Sequence, residues 1–222
     1  CVRNSALTKK EVYISLMTSV SKAISYSLSA TSFNEKELRQ ISTPVYKVAL
    51  PRMGVLPTLP LPYRYAPSKY QGIDLPNFEV DQLIQKITIF LMHGNQDTQI
   101  GKSITLCLEE IQLELGLLCN LFTTPYHRFG HLTQRSWLRH LWEACSKNGI
   151  TLHGKYAMPS LQREHDIGLM ETLISSRTFS KTQEAAINRC RIYLQVVTLS
   201  DIVDGAGLSV SKQAYDGRRA IF

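Results

Sequence analysis

Hydrophobic residues recur every three or four positions over most of the chain, and this period is typical of amphipathic helices. The first series falls at positions 12, 16, 20 and 24. Asn34 followed by Glu37 predicts the capped start of a second helix, in which Pro44 predicts a kink or an early stop. Further helices are predicted over residues 78–93, 98–118, 133–148, 166–176 and 180–194. Their predicted caps are Asp97 or Thr98 for the second of these, Thr133 for the third, and Ser180 with Gln183 for the last.

Several stretches lack this period. Residues 51–76 hold six of the nine prolines, so they predict an extended linker or arm rather than a helix. Residues 122–135 are predicted to be irregular, and residues 150–158 to form a short strand or an extended segment. Near the end, Asp204-Gly205 marks a turn or hairpin.

These patterns predict a mainly α-helical chain: a helical bundle with a Pro-rich extended arm, followed by a smaller α+β region. A length of 222 residues allows one large domain or two small ones with a sizeable core. The chain begins at Cys1 rather than at a methionine, so we expect a fragment. The predicted regions are 1–50, 51–76, 77–121 and 122–222.

Composition and charge narrow the class of partner. The chain is 44% hydrophobic and 19% charged, as in globular rather than disordered proteins. A formal net charge of +7 fits an anionic partner such as nucleic acid or a membrane surface, and equally a basic domain without such a partner. No apolar run approaches the ~18 residues of a membrane span, so no membrane partner is expected.

The five cysteines are far apart and form no CxxC pair, so a structural zinc site is not expected. An odd number of cysteines without a signal peptide predicts a reducing, intracellular compartment, either nucleus or cytoplasm. Cys107, Cys145 and Cys190 are expected to be buried free thiols.

No familiar catalytic pattern is complete. Two-metal polymerase chemistry needs paired carboxylates, and the chain has no Asp-Asp dipeptide. Residues 101–103 (Gly-Lys-Ser) look like the end of a phosphate-binding loop, but Gln96 stands where that pattern needs glycine. Lys102 is therefore expected to be solvated. His127 and His131 have metal-ligand spacing, but their surroundings favour loop histidines.

Two basic segments are candidates for nucleic-acid contact. Arg52, Arg64 and Lys69 lie among tyrosines in the arm, and residues 122–156 carry five basic residues against one acid. Basic side chains bind phosphates, and aromatic rings stack on unpaired bases. The alternative is that the two tryptophans of the second segment belong to the core and the arginines cover a solvated face. Its basic residues are Arg128, Arg135, Arg139, Lys147 and Lys155.

Several passages resemble the region that follows the catalytic palm in reverse transcriptases of non-LTR-type retroelements. Residues 9–50 are similar to the thumb, with two helices joined by a Ser/Thr-rich turn. Residues 66–75 are similar to a Pro- and Gly-containing turn that precedes a helix there, although the family usually has two glycines where Gln71-Gly72 stands. The other similar passages are residues 111–116, 187–195 and 199–202.

The resemblance implies a non-catalytic fragment of a retrotransposon RNA-directed DNA polymerase. The palm and its Mg²⁺ would lie outside this sequence, so no cofactor is expected within it, and its own status as an enzyme stays open. The implied role is to grip primer–template, RNA–DNA hybrid or duplex beside the rest of the polyprotein. The implied or predicted nucleic-acid contacts are Lys9, Lys10, Lys22, Arg52, Arg64, Lys69, Arg135 and Arg139.

Two other functions remain open from the sequence. A protein-interaction module would bury its amphipathic helices against the missing polymerase domain or another subunit, and its charge would serve solubility. A metal-dependent nuclease would use the carboxylates of Asp166, Glu171, Asp201 and Asp204.

Overall fold

The computed structural model describes residues 6–94, 96–153, 165–203 and 206–209. The chain divides into two compact units, Cys1–Ile89 (unit 1) and Phe90–Phe222 (unit 2). The described residues are mainly α-helical, which confirms the predicted fold class. Within them, β pairing is limited to two isolated antiparallel bridges, so the expected α+β character of the C-terminal region is not confirmed.

The first predicted helix is confirmed, with a wide turn in its middle. α1 (Lys9–Ser15) continues through a π-helical turn (Leu16–Val20) into α2 (Ser21–Leu28). A capping box starts it, because the Thr8 side chain accepts from the Glu11 amide while the Glu11 carboxylate accepts from the Thr8 amide. The other helices of unit 1 are α3 (Glu35–Arg52), α4 (Leu61–Tyr65) and α5 (Phe78–His93), the last ending in unit 2.

α3 begins at the predicted Asn34 capping box but does not stop at Pro44. Of the predicted kink or early stop, the early stop was wrong, because α3 continues to Arg52; the kink stays a prediction. Leu38, Tyr46 and Leu50 lie on the buried side of α3 in the core of unit 1. Burial of such side chains contributes more to the free energy of folding than one proline costs through its lost backbone hydrogen bond and its steric clash. The helix therefore continues past Pro44.

The expectation of an extended arm over residues 51–76 was also wrong. α4 (Leu61–Tyr65) and a 3₁₀ turn (Ser68–Tyr70) form within it. Pro60 precedes α4 and Pro62 stands in its first turn, where a missing amide hydrogen costs nothing. The prolines therefore start short helices here instead of preventing them.

The segment then folds back on itself. The Ile73 amide donates to the Tyr63 carbonyl at 3.0 Å, and the Leu75 amide donates to the Arg64 carbonyl at 2.9 Å. Leu75 is buried in the core of unit 1. The core contains Val12, Leu16, Leu28, Leu38, Tyr46, Ala49, Leu50, Leu75 and Phe78.

Gln71 lies at the reversal with a left-handed backbone, its φ being 63°. Since a Cβ is strained in this left-handed region, Gln71→Gly is expected to raise the free energy of unfolding by about 0.5–1 kcal/mol, net of the entropy cost of glycine. Chemical denaturation followed by far-UV circular dichroism measures this change. The same replacement at exposed Gln40 within α3 is the control, where we expect a loss of about 1 kcal/mol. Destabilisation by Gln71→Gly would contradict the argument.

After the end of α5, unit 2 contains the long helix α6 and several shorter helices. α6 is capped by Thr98, one of the two caps predicted for it, and ends at Gly116, which has φ of 65°. α8 is capped by Ser136, so the prediction of Thr133 as its cap was wrong. The predicted Ser180 capping box of α10 is confirmed. The helices are α6 (Gln99–Leu115), α7 (Tyr126–Phe129), α8 (Trp137–Lys147), α9 (Leu169–Ser176) and α10 (Lys181–Leu194).

A buried arginine joins α10 to the end of α6. Arg191 is 4% exposed, and its guanidinium donates to the carbonyls of Leu113, Glu114 and Val196 and to the Asn188 side chain at 2.6–2.9 Å. Burial lowers the pKa of Arg191 to about 10, partly offset by the Glu114 charge. Arg191 therefore adds donors at the last carbonyls of α6, where Leu113 also accepts from the Gly116 amide and Glu114 from the Asn188 side chain.

Only part of the prediction about the thiols is correct. Cys145 is buried, as expected, whereas Cys107 and Cys190 are exposed. Trp142 is also buried. Its ring packs edge-to-face on Tyr126, and its indole N–H donates to the Thr124 carbonyl at 2.8 Å.

Burial raises the pKa of the Cys145 thiol to about 11, against an ordinary value of 9.0. Its thiolate fraction at pH 8 is therefore on the order of 100-fold below that of an ordinary thiol. We expect iodoacetamide at pH 8 to modify Cys107 and Cys190 readily and Cys145 only after denaturation. Mass spectrometry of peptides from native and urea-treated protein measures this, and rapid native modification of Cys145 would contradict it.

Candidate nucleic-acid interface

A row of exposed residues follows the solvent side of α1 and α2. Lys10, Ile14, Thr18, Lys22 and Tyr26 are spaced by four and are all exposed. The opposite side of the same helices carries the buried residues of the core of unit 1. We call these five residues the α1–α2 row.

The wide π turn (Leu16–Val20) lies at the centre of this row. A straight α-helix has 3.6 residues per turn, so a spacing of four drifts steadily around its axis. The π turn holds more residues, which counteracts this drift. The two lysines and the tyrosine consequently stay closer to one side of the helix than in an uninterrupted α-helix.

Tyr26 was not identified by the sequence analysis, although it is 89% exposed. Its spacing of four from Lys22 was the available signal. Burial raises the pKa of Asp81 above its ordinary value, and the nearby Lys22 charge acts in the opposite direction, so Lys22 has an acidic neighbour. The Lys9 side chain lies against Gly54, since a Cβ added to Gly54 would be 2.9 Å from Lys9 Nζ. Gly54 follows the end of α3, so the Lys9 charge lies just beyond the carboxyl end of that helix.

The arm arginines and lysine have different surroundings. The Arg64 guanidinium donates to the carbonyls of Leu59 at 2.7 Å and Pro57 at 2.6 Å. Lys69 is exposed and its Nζ lies 4.8 Å from the centre of the Tyr70 ring. Arg52 is partly buried in the last turn of α3.

In unit 2, Arg139 also binds its own chain. Its guanidinium donates to the Tyr126 hydroxyl at 3.0 Å and to the Thr133 carbonyl at 2.9 Å. Arg135 is exposed. Trp137, next to α8's cap, is partly buried. The structure thus uses Arg64 and Arg139 as internal donors, and their role in binding nucleic acid stays a prediction.

The other candidate chemistries gain no support. Lys102 is exposed, as expected, with its Nζ 2.9 Å from Asp97 Oδ1. His131 Nε2 lies 2.8 Å from Glu184 Oε2, with both side chains largely buried. Across residues 6–94, 96–153, 165–203 and 206–209, no three or more His, Cys, Asp or Glu side chains are grouped to hold a metal ion.

The carboxylates of the proposed nuclease cap backbone amides instead. Asp201 accepts from the Val197 and Thr198 amides, and Glu171 accepts from the Leu118 amide. Burial acts to raise the pKa of Asp166, but hydrogen bonds from Ser200, Thr198 and the Ile167 amide hold it below its ordinary value. Asp204 lies outside the described residues, as does the predicted turn at Asp204-Gly205.

None of the helices in the described part of the chain has the length and apolar character required to cross a membrane. Comparison with protein-family models found no match, and neither curated proteins nor solved structures gave one. The functional argument therefore depends on the residues and geometry of this chain.

Proposed function

We propose that the chain is a non-catalytic, nucleic-acid-binding part of a retroelement reverse transcriptase, which grips RNA–DNA hybrid or duplex. The observation that carries the proposal is the α1–α2 row, where Lys10 and Lys22 lie exposed along one side of a helix. They are twelve residues apart, a distance of roughly 18 Å along a helix. Two such charges can reach different phosphates of one strand, since phosphates recur every 3.4 Å per strand of helix axis.

The net charge of +7 supplies the long-range attraction that sequence-independent binding needs. The helical character of unit 1 and the resemblance of its sequence to the region after the palm support the polymerase context. Lys9, Arg52, Lys69 and Arg135 are further proposed contacts, while Arg64 and Arg139 would contribute mainly by holding their local folds.

The double change Lys10→Ala and Lys22→Ala tests the proposal. We expect affinity for RNA–DNA hybrid to fall on the order of tenfold at low salt, and the log–log salt slope to fall by about 1.8, the loss of two phosphate contacts. Fluorescence anisotropy across a salt series with several hybrid sequences measures both quantities.

The matched control replaces two other exposed lysines of unit 1, Lys36→Ala and Lys47→Ala, which lie on α3. This control keeps the net charge equal to that of the test variant. Equal losses in both variants would show a non-specific charge effect and overturn the assignment to the α1–α2 row. Absence of binding by the folded wild-type chain at low salt would overturn the proposed function itself.

A second candidate function is a protein-interaction module, favoured by exposed apolar side chains on α6. Ile100 is 52% exposed, Leu106 65% and Leu113 49%. Exposed apolar area of this kind is common at interfaces. Self-association in analytical ultracentrifugation, removed by Leu106→Glu with retained helicity, would support this candidate over a monomeric nucleic-acid binder.

A further inference from the structure

The folded-back segment of unit 1 presents two exposed tyrosines. Tyr63 is 56% exposed on α4, and Tyr70 is 67% exposed at the end of the 3₁₀ turn (Ser68–Tyr70). Aromatic rings of this size are usually largely covered in folded proteins. Two exposed rings on one short segment therefore indicate a surface that can receive planar groups.

The backbone around these rings is held by several hydrogen bonds. Arg64 joins the Pro57 and Leu59 carbonyls on one side, and the Ile73 amide donates to the Tyr63 carbonyl on the other. The Gln71 amide closes the turn on the Ser68 carbonyl at 3.0 Å. The rings are thus carried by an ordered backbone, which lowers the entropy cost of binding a ligand.

The charge of the segment favours an anionic ligand. Residues 51–73 contain Arg52, Arg64 and Lys69 and no acid. Lys69 Nζ lies over one face of the Tyr70 ring, 4.8 Å from its centre, so a cation adjoins the ring and a base would stack on the opposite face. An aromatic ring next to a cation is the pair of groups that binds a base and its adjoining phosphate in single-stranded nucleic acid.

We propose that Tyr63, Lys69 and Tyr70 form a binding platform for unpaired nucleotides. The ligand is single-stranded nucleic acid, with the rings stacking on bases and Lys69 contacting a phosphate. The inference rests on the proposed function, since it assigns the unpaired part of a primer–template to this segment and the paired part to the α1–α2 row.

The test compares blunt RNA–DNA hybrid with the same hybrid carrying an unpaired template extension of about ten nucleotides. The full chain should bind the extended hybrid more tightly. Tyr63→Ala with Tyr70→Ala should lower that affinity by about tenfold per tyrosine and leave the blunt-hybrid affinity unchanged. Fluorescence anisotropy measures both affinities, and circular dichroism measures the retained helicity.

Two further pairs of substitutions separate stacking from folding. Tyr63→Phe with Tyr70→Phe should keep the preference for the extension, because the rings remain. Tyr63→Leu with Tyr70→Leu should lose it, although leucine preserves much of the apolar volume. Tyr193→Ala, which removes an exposed tyrosine of unit 2, is the control and should change neither affinity.

The platform proposal would be overturned if the unpaired extension did not raise the affinity of the wild-type chain. It would also be overturned if the double alanine or the double leucine variant bound the extended hybrid as tightly as the wild-type chain does. Loss of the preference in the phenylalanine pair would also overturn it, because stacking needs no hydroxyl. If the wild-type chain bound the hybrid with the unpaired extension but did not bind the blunt hybrid, the proposed duplex grip would be overturned and the platform would be supported.

Discussion

Arg191→Ala is expected to lower the free energy of unfolding of unit 2 by about 2–4 kcal/mol, because hydrogen bonds from a charged donor contribute about 1.5–3 kcal/mol each and the cost of burying the guanidinium offsets part of their sum. The alanine would leave the carbonyls of Leu113, Glu114 and Val196 without this donor and would open a cavity beside them. Urea denaturation followed by tryptophan fluorescence measures the loss in unit 2, since both tryptophans lie there.

Arg189 provides the matched control for this experiment. It lies on the same helix, α10, and is exposed. Arg189→Ala removes the same charge and is expected to change the free energy of unfolding by less than about 0.5 kcal/mol. Similar small effects of the two substitutions would show that the Arg191 hydrogen bonds contribute little to stability.

The helix starts were the most predictable part of this fold. The capping boxes at Asn34 and Ser180 were identified correctly, because the side chain that caps a helix and its partner are only three residues apart. The prediction of Thr133 as the cap of α8 was wrong, because the Thr133 hydroxyl bonds to another helix instead of to the first turn of α8. This hydroxyl donates to the Glu114 carboxylate at 2.6 Å, a contact over nineteen residues that local pattern does not reveal.

The prolines and arginines show why the rest was not predictable. Pro44 lies inside a helix because residues around it are buried in the core, and this burial depends on tertiary packing. The sequence analysis likewise predicted from their charge that Arg64 and Arg139 contact nucleic acid, whereas each guanidinium donates to a carbonyl of its own unit. For Tyr26, the spacing of four from Lys22 was a sequence signal, but its exposure was established only once the buried side of α2 was known.

The close approach at Gly72 explains why a glycine is needed in the folded-back segment. A Cβ there would lie 1.9 Å from the Ala66 carbonyl oxygen, far inside van der Waals contact. That oxygen also accepts from the Asp74 amide at 3.0 Å, so it cannot move without losing this hydrogen bond. The backbone angle is not the constraint, because Gly72 is not among the described residues with positive φ.

Gly72→Ala is therefore expected to destabilise unit 1 by about 3 kcal/mol, the upper range for overpacking, and to open the segment that carries Tyr63 and Tyr70. Faster tryptic cleavage after Arg64 and Lys69 would show that the segment opens. Circular dichroism during chemical denaturation measures the change in the free energy of unfolding. Gly149→Ala is the control, because a Cβ at Gly149 meets open space and only its φ of 66° opposes the change, at a cost of about 1 kcal/mol. If Gly72→Ala lowered the free energy of unfolding no more than this control does, the Ala66 carbonyl would have to move aside at little cost. The segment would then be less rigid than the proposed platform requires.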